Sequence, residues 1–170
     1  MTGKAHIPAP SDWQPGRETF AVAALFERQA ADDNPWLDYR WRLLGVLCGD
    51  ELPEAGEGGV VHEDGATRQQ LFTGLELQLF PDEVESYYHN LTVEQPRIYV
   101  VARDGDDGPE PFLVTASFDV ANAHVEADDL AFDTTLPAEL YQPLEHFVVG
   151  HYFPEKRRKR KRDNWKDQQR

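Results

Sequence analysis

One cysteine, Cys48, stands in the 170 residues. No internal disulfide can form, so the fold must rest on its core, and the expected compartment is the cytoplasm. No apolar run approaches the ~18 residues of a membrane-spanning helix. The opening stretch "MTGKAHIPAPSDWQPG" contains no apolar segment of the signal-peptide kind. Neither a membrane-spanning nor a membrane-bound role is expected. Basic residues are scarce over most of the chain. Residues 155–170 hold nine Lys or Arg against three acids, a balance of +6. The remainder holds eight against 28, a balance of −20, and the total is −14. An acidic body of this kind repels nucleic acid and anionic membranes, whereas the tail does the opposite.

Catalytic patterns are also missing. The six histidines, His6, His62, His89, His124, His146 and His151, form no HxxxH or HExxH spacing. His62 has acidic neighbours but sits in a Gly-rich loop, and the spacing of five from His146 to His151 turns the two rings apart on a helix. Cys48 ends an apolar run with no histidine near it in sequence, which reads as an inert thiol. Ser117 in "TASFD" lacks the flanking glycines of a nucleophile elbow. "GEGG" does not join a strand to a helix, so it is no phosphate loop. His89 in "YYHNL" is the single catalytic candidate. A histidine at the end of a helix, facing water, is the plainer reading. The expectation is a protein that is not an enzyme, with no metal and no cofactor.

What is present is enough apolar material for a core: 40% hydrophobic residues, with nine Phe, six Tyr and four Trp. Its patterning predicts an α+β domain over residues 17–154, with a loose segment over 1–16 and a disordered basic tail over 155–170. The predicted sheet is mostly antiparallel, with about five to six strands, a short mid-chain helix and a C-terminal helix. "ETFAVAALFERQ" is apolar on both faces, as in a central strand. "TRQQLFTGLELQLF" alternates, with Leu71, Leu75, Leu77 and Leu79 on one face, and Gly74 marks a bulge. Between these, "GDELPEAGEGGVVHEDGA" reads as an acidic loop, an insertion between flanking strands. "PDEVESYYHNL" shifts to helical period, with Val84, Tyr87, Tyr88 and Leu91 on one stripe and Pro81 in the first turn. "PRIYVVAR" and "PFLVTASF" are strands around the hairpin loop "DGDDGPE", and Asp119 is placed to cap a short helix to about Val125. A short strand follows near residues 130–133. "PAELYQPLEHFVVGHYF" is a terminal helix that either kinks or starts at Pro143.

The densest cluster is "NPWLDYRWRLLGVL". Period-two alternation puts Tyr39, Trp41 and Leu43 on one face, and Asp38, Arg40 and Arg42 on the other. This describes a strand half-buried at first and buried on both sides over its second half. The alternative reading is a contact patch of Trp36, Arg40, Trp41 and Arg42, because Trp and Arg dominate interface hot spots.

Five segments resemble, in order, a bacterial domain-of-unknown-function family numbered 3305: "DNPWLDYRWRLLGVL", "ESYYHNL", "PRIYVVAR", "FLVTASFDVANA" and "FVVGHYFPEKRRKRKR". The resemblance spans about residues 19–162. Members are typically encoded beside molybdenum-dependent formate dehydrogenases and their maturation factors. The resemblance therefore implies an accessory or maturation role carried by protein–protein contacts, and it brings no catalytic residues. The acidic loop over residues 51–64 is longer here than in the family pattern. The contact candidates are Trp36, Arg40, Trp41 and Arg42, then Tyr88, His89 and Asn90. The basic run adds Lys156, Arg157, Arg158, Lys159, Arg160, Lys161 and Arg162. The expected partner is a molybdoenzyme subunit or a maturation factor. Two alternatives remain: a nucleic-acid-binding regulator that uses the basic tail, and a small cofactor-handling enzyme that uses His89. The tail alternative is the weaker for nucleic acid, since no base-stacking platform or recognition helix accompanies the charge run.

Overall fold

The computed structural model describes residues 18–154. The expected loose N-terminal segment and basic tail lie outside the described residues. Seven strands and three helices run in the order β1 (Thr19–Ala30), β2 (Tyr39–Cys48), β3 (Gly59–Glu63), β4 (Thr67–Gln78), α1 (Val84–Thr92), β5 (Arg97–Gly105), β6 (Gly108–Thr115), α2 (Phe118–Glu126), β7 (Leu130–Thr135) and α3 (Ala138–His151). The mixed, mostly antiparallel architecture agrees with the sequence reading, but the sheet is larger. Its hydrogen-bonded order is β2-β1-β4-β6-β5-β7, with β3 on the free flank of β4. The end strands β2 and β7 also touch, so the sheet curls into a nearly closed barrel. One pairing departs from the antiparallel expectation. β4 and β6 run parallel and pair at a single position, Leu77 with Val114.

The additional strand is β3, inside the segment expected to be a loop. Val60 and Val61 precede the turn Asp64–Gly65, and the Asp64 Oδ1 accepts the N–H groups of Ala66 and Thr67 at 2.9 and 2.8 Å. Those two bonds hold the Asp64 carboxyl below the usual range and fix the β3–β4 hairpin. The Asp-Gly pair was the hairpin signal that the surrounding acids and glycines obscured.

β1 is central, between β2 and β4, and buried on both faces along most of its length. Two bulges change the phase of its neighbours. Gly74, at φ +74°, sits in a bulge where Val22 pairs with Leu75 but Ala24 pairs with Phe72. The bulge puts Phe72 rather than Leu71 on the core face, against Phe26 at a ring distance of 5.6 Å. In β2 a second bulge falls at Leu44, between the Leu25–Gly45 and Phe26–Leu43 pairs. Leu43 and Val46 therefore point inward and Leu47 outward, so the second half of β2 is not buried on both sides as alternation suggested.

α1 lies beyond one end of the barrel and packs on α3, whereas α2 runs back along β5, β6 and β7. α3 drives Leu140, Leu144, Phe147 and Val148 into the core. It starts at Ala138, before Pro143, and contains that proline in its second turn. α1 follows a 3₁₀ turn at Pro81–Glu83 and buries Tyr87, whose ring meets Phe147 edge-on at 5.9 Å. The strand expected through Phe118 stops at Thr115. Ser117 takes over as the α2 N-cap, its Oγ accepting the Val120 N–H at 3.1 Å, and Asp119 falls in the first turn rather than at the cap. No helix among the described residues is long and apolar enough to cross a membrane.

Candidate functional site

The contact candidates divide between the two ends of the barrel. The β1–β2 turn lies at the C-terminal end of β1, where Ala30 pairs with Tyr39. α1 begins beyond the opposite end, where Thr19 pairs with Gln78. The 12 residues of β1 separate them, a length of about 35 Å at ~3.3 Å per residue. Trp36 and His89 do not converge.

At the turn, Asn34 builds the bend. Its Oδ1 accepts the Trp36 N–H at 2.9 Å and its carbonyl accepts the Leu37 N–H at 3.2 Å. Trp36 is left 90% exposed, beside the exposed Leu37 and Tyr39. Arg28 covers the Tyr39 ring at 4.1 Å. Arg40 pairs with Asp33 at 3.1 Å on the surface.

Arg42 and Trp41 also have partners within the fold. The Arg42 Nε and Nη2 both donate to Glu27 Oε1, at 2.9 and 2.6 Å. Gln29 donates to the same oxygen at 2.8 Å and Gln69 to the other at 3.0 Å. Glu27 is only 5% exposed. The Gln69 bond, ahead of Arg42, holds its carboxyl below the usual value, outweighing the opposing effect of burial. The Trp41 ring packs on the β5–β6 turn, where a Cβ added to Gly108 would fall 2.6 Å from it. Sequence reasoning missed Glu27, an acid in an otherwise apolar central strand.

At the helix end, Asn90 is 8% exposed and fully engaged. Its Nδ2 donates to the carbonyls of Arg97 at 2.7 Å and Ala116 at 3.0 Å, and its Oδ1 accepts the Arg97 N–H at 2.8 Å. It ties α1 to the start of β5 and the end of β6, and it also lines the cleft beside His89. Tyr88 stacks on Tyr152 at 4.3 Å and 12° and meets His89 edge-on at 5.6 Å. His89 is mostly exposed, 3.8 Å from Glu85 one turn earlier. It lines a cleft of about 410 Å³ whose walls are α1 and the opening turn of α2, through Val93, Phe118 and Asp119, with Arg97 and Tyr99 of β5. Burial raises the Tyr99 phenol, and the charge of Asp133 adds to that.

Among the described residues no group of three or more His, Cys, Asp or Glu is placed to hold a metal ion. Cys48 is half-buried, 3.9 Å from a Glu139 carboxylate oxygen. Burial and that carboxylate push its thiol up to about 12, which leaves essentially no thiolate at neutral pH. The residues of the basic run, Lys156 to Arg162, lie outside the described residues.

Comparison with known families gives one match. Residues 21–161 fit the model of a family described as a protein of unknown function, DUF3305. The chain belongs to this family. The match covers the barrel from Ala21 in β1 through α3 and reaches into the basic run, so both the β1–β2 turn and α1 lie within the DUF3305 region. No curated protein matches, and no solved structure matches.

Proposed function

We propose that this DUF3305 protein is a non-enzymatic accessory protein that docks on another protein through the tip of its β1–β2 hairpin. The observation that carries this reading is Trp36. A tryptophan 90% in solvent, on a turn fixed by Asn34, gains nothing for the fold where it stands. Large aromatics exposed on rigid turns, beside arginine, are the residues that dominate binding energy in protein interfaces. Leu37 and Arg40 extend the tip into a surface with an apolar centre and a charged rim. The resemblance to the family numbered 3305 supports the finer identification of the partner as a molybdenum-dependent formate dehydrogenase subunit or one of its maturation factors, in the cytoplasm.

The test is co-purification from a host that expresses the neighbouring formate dehydrogenase. The wild-type chain is expected to carry a subunit or maturation factor with it, and Trp36→Ala to lose it. Absence of any shared complex, together with normal cofactor loading of the enzyme in a strain without this gene, overturns the proposal.

A further inference from the structure

The described fold has a one-sided charge economy. Residues 18–154 contain 27 Asp and Glu, six Arg and no Lys. Every one of the six arginines is already engaged within the fold. Arg40, Arg42, Arg68 and Arg97 pair with Asp33, Glu27, Glu63 and Asp133, and Arg28 and Arg103 lie over the rings of Tyr39 and Phe112. The chain's largest reserve of cations is the run from Lys156 to Arg162.

We infer that this basic run docks on its own body, in the cleft between α1 and the start of α2. Three observations place it there. First, the chain leaves the described fold beside the cleft: Tyr152 stacks on Tyr88, which touches His89 on the cleft wall. At ~3.3 Å per residue, Lys156 reaches about 13 Å from Tyr152 and Arg162 about 33 Å. Second, the cleft offers negative charge without a cation of its own to spare. Asp119 lines it, Glu85 stands beside His89, and Arg97 is held by Asp133 at 2.8 Å. Third, its apolar lining suits guanidinium groups and lysine stems. Phe118 is 56% exposed and meets Tyr99 edge-on at 6.1 Å, and both rings line the cleft. Arg and Lys side chains combine the charge and the flat or alkyl surface that such a site takes. A run so held is masked from nucleic acid, which must displace it to bind. This site is independent of Trp36, about 35 Å away along β1.

The experiment uses the full chain with a nitroxide label on Gln168→Cys in a Cys48→Ala background, read by line broadening of backbone amide signals. At low salt the signals of His89, Val93 and Asp119 are expected to be lost while that of Trp36 survives. They should return at about 1 M salt, where the screening length falls to about 3 Å. They should also return at low salt in Phe118→Ala and in Asp119→Lys. Phe118→Ala, at an exposed position, guards against a folding defect in the second variant. Broadening spread evenly over the acidic surface, or centred on the pocket of Asp50, Glu54 and Glu76, overturns the proposal. So does broadening that appears only when spin-labelled chain is mixed with a separate isotope-labelled chain, since the tail then belongs to a second copy.

Discussion

The two ends of the barrel use the same kinds of residue for opposite purposes. At the helix end, Asn90 and Tyr87 give their polar atoms to the backbone of neighbouring segments, and Ser117 gives its hydroxyl to the first turn of α2 and to Glu83. At the hairpin end, Asn34 uses its side chain to hold a bend whose product is an exposed ring. Asparagine beside aromatics is thus an internal tie in one place and a pedestal in the other. Residue type alone does not separate the two. Whether the backbone around it has other partners does.

That contrast predicts an ordered series of effects. Asn90→Ala leaves the Arg97 N–H and the carbonyls of Arg97 and Ala116 without their partner. It should cost about 3 kcal/mol, read as a lower midpoint in denaturant unfolding; a change near zero would break the distinction between the ends. Gly108→Ala should cost about 2 kcal/mol, because φ is +126° and the new methyl meets the Trp41 ring. This places a structural anchor at the hairpin end too, and sharpens the contrast by isolating Trp36 from Trp41.

Glu27→Gln should cost about 1 kcal/mol at neutral pH, since its partner Arg42 is itself largely in water. The sign with pH follows from a folded-state carboxyl held below its ordinary value of about 4.5 by Gln69 and then Arg42. The carboxylate's contribution is fully present above about 4.5, and it is lost as pH falls from there through the lowered folded value. Wild type should therefore lose its advantage over Glu27→Gln in that acid window, in parallel unfolding titrations. Trp36→Ala should move stability by less than about 0.5 kcal/mol. The same change should weaken partner binding about tenfold or more.

The legible parts of the fold were those set by side-chain period. β1, with Phe20, Val22, Ala24 and Phe26, and α1, with Val84 and Tyr87, follow the alternation and the stripe that their sequences carry. The parts that escaped depend on partners distant in sequence. Leu71 alternates correctly with Leu75, but the bulge at Gly74 against Val22 and Ala24 moves it off the core face. Ser117 looks like the end of a strand until its hydroxyl is seen to cap α2. At the candidate surface, Trp36 was identified on residue type and confirmed as exposed. The internal bonds of Arg42 and Asn90 escaped because Glu27 and Arg97, their partners, lie 15 and seven residues away. Closure of the barrel by β2 and β7 has no local signature at all.

The lone pairing of Leu77 with Val114 has a mechanical meaning. On either side of it, β1 to β4 and β5 to β7 are each laced by extended antiparallel ladders. Between them almost no backbone stitching exists, and rings such as Phe26 against Phe132, 5.0 Å apart, clasp the two halves from within. The two ladders thus meet at one backbone pairing, and the side chains enclosed between them supply most of the grip.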